Sequence, residues 1–250
     1  SDFTLLPSLA GVVVLDQGED DADRITISAR VRDEDGVQAV TLHYQRLVAH
    51  AGAGLVLGNW ETAPMVDDGT QGDPVAGDGY YTLVLNDHEM IRPDELWRYK
   101  IEAEDALGNE AMVPRQDELT RNFIFFVKNK LEDSKYPQIQ IFMEQQYWNW
   151  LLDHVESDKE QPSIVVVEGE AFDLYHAGGV RFRGHVLRNK PKKSFKVRFA
   201  KGNRWNGKRA MNLNANYQTS PLVRGEAGFM EHLAYELFRQ AGVPAADTRG

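Results

Sequence analysis

The sequence predicts an all-β sandwich followed by a smaller α+β unit, and three observations predict it. Up to about residue 128, short segments alternate apolar and polar residues between Asp-Gly and Gly-Asn turns. Beyond about residue 136, apolar residues also recur at helical spacing. The charge divides along the chain as well. From His176 to Gly250 there are 15 Lys and Arg against 4 Asp and Glu, and the residues before carry 13 against 34. A split this steep, in a 250-residue chain of net charge -10, implies two units with different tasks. The expected boundaries are a sandwich over 1–128, a linker over 129–135 and the second unit over 136–250.

In the first unit Ile25, Ile27, Ala29 and Val31 alternate with Thr26, Ser28, Arg30 and Arg32. The same period recurs over Val37–Gln45, Tyr81–Leu85, Trp97–Ala103 and Asn122–Val127. Side chains that alternate faces mean half-buried strands. Asp35-Gly36, Asp68-Gly69, Asp78-Gly79 and Gly108-Asn109 supply the turns between them. Many short strands at this spacing suit two packed sheets. The phrases RVRDEDGVQAVTLHYQ and YKIEAEDALGNEA resemble those of immunoglobulin-like or fibronectin-like modules of bacterial exported proteins. This resemblance bears on fold and says little of function.

One loop in this unit carries candidate chemistry. Asp67, Asp68, Asp73 and Asp78 lie in VDDGTQGDPVAGDGYY. Carboxylates on a glycine-rich loop suit a hard cation such as calcium, which takes several oxygen ligands. The spacing is not that of an EF-hand. The alternative is an acidic hairpin loop in which Asp-Gly pairs only supply turn conformations.

A charged connector, KNKLEDSKYP, leads into the second unit. A short strand is expected over Pro137–Phe142. A helix is expected over Glu144–Val155, with Tyr147, Trp148, Leu151, Leu152 and Val155 on one face. An apolar strand follows over Ser163–Val167. In GGVRFRGHVLRNKPKKSFKVRF two strands then alternate. Val180 and Phe182 face one way, Arg181 and Arg183 the other. Phe195, Val197 and Phe199 oppose Lys192, Ser194, Lys196 and Arg198. If these strands pair, their basic faces adjoin, and like charges side by side need an offsetting anion. Phosphate fits, because Arg grips it bidentately and Lys acts as a point charge. Gly184 at the bend allows close backbone approach to a ligand. The alternative is that acidic residues elsewhere in the fold neutralise the face.

A third strand is expected in KRAMNLNANY, with Asn212, Asn214 and Asn216 on its polar side. Ser220-Pro221 then reads as the start of a helix. Leu222, Phe229, Met230, Leu233, Ala234, Leu237 and Phe238 form its apolar stripe, and Gly242 ends it. Glu231 on this helix can reach back to Lys196, or can be a solvated carboxylate.

Several classes are excluded. With no cysteine, there are no disulfides, thiolate metal sites or Cys nucleophiles. No apolar run is long enough for a membrane span. Trp205, Tyr217 and Phe229 could stack on bases, but no nucleic-acid motif is present and the chain is acidic, with pI near 5.2. The chain opens on Ser1 without a visible leader, as expected of a trimmed sequence.

The segments YPQIQIFMEQQYWNWLL, VRFRG, NKPKKSFKVRF, MNLNANY and HLAYELFRQAGVPAADT occur in this order. Together they resemble the opening half of the CotH family, named for a spore-coat protein and including secreted atypical protein kinases. The resemblance implies a kinase-like N-lobe fragment over 136–250. It implies ATP with magnesium as cofactors, a protein or other hydroxyl acceptor, and an extracytoplasmic, bacterial location. It makes Lys196 the phosphate anchor, with strand facing as the ground for Lys196 over Lys192 or Lys193. Arg181, Arg183 and Lys193 are supporting groups, and Glu231 is the helix partner. Two departures stand out. Gly184-His185-Val186-Leu187-Arg188 replaces the family's small polar run after Arg-Gly, and Met230 precedes Glu231 where the family has Arg. Metal-binding carboxylates and a catalytic base are expected in a later lobe, so no catalytic residue is assigned here and the fragment itself is expected to be inactive. An adhesion protein or a structural coat protein with a non-catalytic CotH domain is the alternative.

Overall fold

The structure is a computed structural model that describes residues 4–7, 11–14, 25–50, 54–85, 95–118, 121–128, 138–168, 170–215 and 227–243. The first unit contains β1 (Thr4–Pro7), β2 (Gly11–Val14), β3 (Ile25–Arg32), β4 (Val37–His50), β5 (Gly54–Pro64), β6 (Tyr80–Leu85), β7 (Glu95–Asp105), β8 (Glu110–Val113) and β9 (Phe123–Lys128). One sheet has the order β1-β3-β6. The other runs β2-β9-β7-β4-β5, with β8 also paired to β7. The fold is thus mostly β and built from several sheets, as a sandwich requires.

The core between the two sheets follows from the period-two pattern. Ile25, Ile27, Ala29 and Val31 of β3 are all buried, and the residues between them are not. They meet Val40 and Leu42 of β4, Trp97, Tyr99, Ile101 and Ala103 of β7, and Phe125 and Val127 of β9. Trp97 and Phe125 stack at 6.2 Å between centroids. Thirteen buried apolar side chains meet in this one cluster. At ~1.5–3 kcal/mol for each large one, they are the main source of the sandwich's stability.

β7 and β9 depart from the half-buried expectation. Leu96, Ile124 and Phe126 face away from the sandwich core and are buried too. The cause is a second cover, in which Leu47, Leu55, Leu96, Ile124 and Phe126 pack against Ile164 and Val166 of the second unit. Strands covered on both faces read as continuous apolar runs, and FIFFV is such a run.

The second unit contains β10 (Ile139–Phe142), α1 (Gln145–Asp153), β11 (Ile164–Val167), β12 (Glu170–Asp173), β13 (Gly179–Phe182), a 3-10 turn over Val186–Asn189, β14 (Phe195–Arg198), β15 (Ala210–Leu213) and α2 (Ala227–Gln240). Two antiparallel sheets, β10-β11-β12 and β13-β14-β15, enclose its core. Leu151 of α1 enters that core, whereas Leu152 of the expected apolar face is exposed. Trp205 is buried there as well, so it is a core residue and not a platform for bases.

The units are joined by a buried polar contact. Arg98 of β7 forms an ion pair with Asp173 of β12 at 3.1 Å, and both side chains are almost fully buried. Asn122 Nδ2 and the Tyr175 backbone N–H donate to the same carboxylate. The Tyr175 ring lies 4.1 Å from the Arg98 guanidinium carbon, and its hydroxyl donates to Glu144. The expected linker at 129–135 lies outside the described residues, as do Asn216, Tyr217, Ser220, Pro221 and Leu222.

The α2 stripe differs from its expected role. Leu233, Leu237 and Phe238 are exposed rather than core. Spacing alone predicts an amphipathic helix but not what covers it. The end of the helix is as expected. Gly242 takes φ +75°, its N–H donates to the Arg239 carbonyl, and the Val243 N–H donates to that of Phe238. Among the described residues no helix is long and apolar enough to cross a membrane.

Candidate functional site

The site grows from the β13-β14-β15 sheet. Val180 and Phe182 of β13, Phe195 and Val197 of β14, and Met211 and Leu213 of β15 point into the core of the second unit. The intervening residues must face outward. Arg181 lies directly opposite Lys196, and Lys196 opposite Asn212. The expected hairpin therefore forms, with a Lys and an Arg side by side. Gly178 and Gly179 lead into it with positive φ, and the Gly178 backbone runs so close to Arg198 that a Cβ would lie 2.2 Å from its carbonyl oxygen.

The charges on this face are partly matched from within the fold. Residues 156–161 follow α1 and reach the edge of β13, where Gln161 and Val180 exchange backbone hydrogen bonds and the side chains of Asp158 and Glu160 turn to the outward cations. Asp158 Oδ1 lies 2.8 Å from Arg181 Nη1 and accepts a hydrogen bond from Arg188 Nη2 at 2.5 Å. Arg198 pairs with Glu160 at 2.8 Å. Among the described residues, Lys196 Nζ makes no ion pair or hydrogen bond, although it lies within electrostatic reach of Asp158. The Arg188 hydrogen bond first, and then the Arg181 charge, hold the Asp158 carboxyl below the usual carboxylate range. Folding is therefore favoured by this group above its unfolded pKa of about 3.9, and that favour is lost as pH falls through the lowered folded value.

Arg188 is a residue that sequence reasoning missed. It is buried, and its guanidinium donates to the carbonyls of Gly184, Glu156 and Ser157 besides Asp158. It ties the turn after β13 to the turn after α1. Gly184 takes φ +95°, which lets its carbonyl turn back to Arg188. The bulkier run after Arg-Gly thus serves a local purpose, since Arg188 is part of it. A lone Arg after a bend gave no sequence signal of such partners.

The other expected site residues are placed as follows. Lys193 Nζ donates to the Arg188 carbonyl at 2.6 Å and sits 5.2 Å from the Phe182 ring centroid, on the apolar side of the hairpin. Arg183 donates to Asn214 Oδ1. Lys193 thus stands apart from the Arg181–Lys196 row. Glu231 lies within α2, and its side chain is outside the described residues.

In the acidic loop, Asp67, Asp73 and Asp78 place carboxylate oxygens within 4.8 Å of one another, and Asp68 stands apart. These carboxylates also tie the loop together. Asp67 accepts from the N–H groups of Gly77, Asp78 and Gly79, and Asp73 from those of Gly69 and Val75. Asp68 accepts from Thr70 and Asp78 from Tyr80. A second acidic group, Asp33, Asp35 and Asp105, comes together across two turns of the sandwich. Asp105 is far in sequence from Asp33 and Asp35, so spacing could not reveal the group.

The geometry defines a β-rich protein with a three-stranded sheet that carries Arg181, Lys196 and Arg198 on its outward side. Comparison with known proteins then places the segment. The family described as CotH kinase protein matches residues 180–249, which include β14, β15, α2 and most of β13. The resemblance read from the motifs holds over that stretch. No curated protein matches the chain. A solved structure of murine CRIg is similar at 12% identity over 52% of this chain and 100% of its own, with a TM-score of 0.28.

Proposed function

We propose that the β13-β14-β15 sheet grips the phosphates of ATP as part of a CotH-like, kinase-like N-lobe in an extracytoplasmic bacterial phosphotransferase. The observation that carries this reading is the pairing of Arg181 with Lys196 on one outward face, inside the segment that matches the CotH kinase protein family. In the proposed reaction of the longer protein, an acceptor hydroxyl oxygen bonds to the γ-phosphorus. The bond to the bridging oxygen breaks, ADP leaves with its electron pair, and the hydroxyl proton passes to solvent water. Lys196 and Arg181 would hold the phosphate oxygens and offset their charge. Magnesium is a different matter. The carboxylates nearest this face, Asp158 and Glu160, are held by Arg181, Arg188 and Arg198, so these residues do not fit a metal and no step is assigned to one.

Titration calorimetry with ATP tests the reading. The 250-residue chain should bind, and Lys196→Ala should weaken binding ~10- to 100-fold, the loss expected for one charge-assisted contact. A chain that binds no nucleotide removes the proposal. A second reading, an adhesion or coat protein with a non-catalytic CotH domain, is favoured by the internal matching of Arg181 and Arg198 by Asp158 and Glu160. Specific binding to a surface partner without nucleotide would select it.

A further inference from the structure

The cations of this face are fixed, whereas the anion that meets them is at the surface. The Arg181 side chain is 13% exposed, and its Nη1 also donates to the Phe182 carbonyl at 2.9 Å. The Arg188 side chain is 9% exposed and bonded to three backbone carbonyls. Asp158, which both of them hold, is 72% exposed. Lys196 stands opposite Arg181 and feels the same carboxylate. Glu156 and Glu160 lie beside it, but each has another partner, Asn189 and Arg198 respectively.

We infer that the Asp158 carboxylate is a built-in stand-in for a phosphate group, seated between Arg181, Arg188 and Lys196, and that an incoming phosphate displaces it. An exposed carboxylate held by ion pairs is inexpensive to move, because such pairs contribute little in water. A phosphate brings more charge and more acceptor oxygens to cations that are already positioned. The Asp158 side chain then swings out when an anion enters, which loosens the 156–160 turn while Gln161 stays paired with Val180. This inference rests on the proposed phosphate-gripping role of the same sheet and adds a regulatory contact to it.

The test titrates the 250-residue chain with inorganic pyrophosphate and, separately, with ATP. Asp158→Asn, which keeps the side chain's size, should tighten both ligands roughly three- to tenfold, the equivalent of the two surface ion pairs with Arg181 and Arg188 no longer displaced. Asp153→Asn removes an exposed carboxylate on α1 and should change affinity less than twofold. Hydrogen exchange on the unmodified chain gives a reading that no variant can spoil. Amides at 156–160 should exchange faster when pyrophosphate is bound. Equal affinity in Asp158→Asn, or added protection of 156–160, overturns the stand-in role while leaving nucleotide binding intact. Tightening for pyrophosphate with no binding of ATP keeps the stand-in and removes the nucleotide reading. Failure of either chain to bind either ligand overturns both.

Discussion

Replacing Asp173 by Ala should be among the most damaging single changes in this protein. Asp173 and Arg98 are 3.1 Å apart, with side chains 1% and 7% exposed. At an effective dielectric constant of 20, their attraction is about 5 kcal/mol before desolvation is subtracted. Truncating Asp173 leaves the Arg98 charge buried without its counter-ion, and also strips acceptors from Asn122 and the Tyr175 N–H. The Tyr175 ring still faces the guanidinium and offsets part of the loss. The net cost expected is about 3–5 kcal/mol. Urea unfolding followed by tryptophan fluorescence measures it. The paired change Arg98→Met with Asp173→Leu removes both charges and should recover most of the loss, because an apolar pair of similar bulk is often as stable. The single change should also loosen the contact between the sandwich and the second unit, so that one unfolding transition broadens or splits. A loss below 1 kcal/mol for Asp173→Ala would refute the argument that this pair is dry and binds the two units.

Two further predictions concern backbone and metal. Gly178→Ala should cost roughly 2–4 kcal/mol, since φ is +100° and the new Cβ would meet the Arg198 carbonyl at 2.2 Å. Thermal unfolding checks it, and a neutral result would mean that the β13–β14 approach is looser than described. If calcium joins Asp67, Asp73 and Asp78, calcium at a hundred times its Kd should stabilise the chain by about 2.7 kcal/mol, and Asp78→Asn should abolish the gain. An unfolding midpoint that ignores millimolar calcium removes that proposal and leaves the loop held by its own backbone donors.

The legible parts of this protein were those governed by local geometry. The period of two in β3, and the outward facing of Arg181 in β13 and of Lys196 in β14, are properties of single strands, and the structure keeps both. The Phe-rich strand was legible as β, but its second cover depended on Ile164 and Val166, far along the chain. Partner choice was the least legible part. Nothing local to Asp158 names Arg181 and Arg188 as its contacts, because a polar turn after a helix looks the same whether its side chains meet cations of a nearby sheet or water. The exposed Leu233, Leu237 and Phe238 show the same limit from the apolar side. The spacing marks a stripe, and only the fold decides what lies against it.

The central claim is that phosphate is held on the outward face of β13 and β14. Backbone NMR of the 250-residue chain, titrated with ATP, tests it most directly. The account predicts shifts confined to the 156–160 turn, to Gly179–Arg183 and to Phe195–Arg198, with the largest at Arg181 and Lys196. No shifts at saturating ATP, or shifts centred elsewhere such as the Asp67–Gly79 loop, would contradict it.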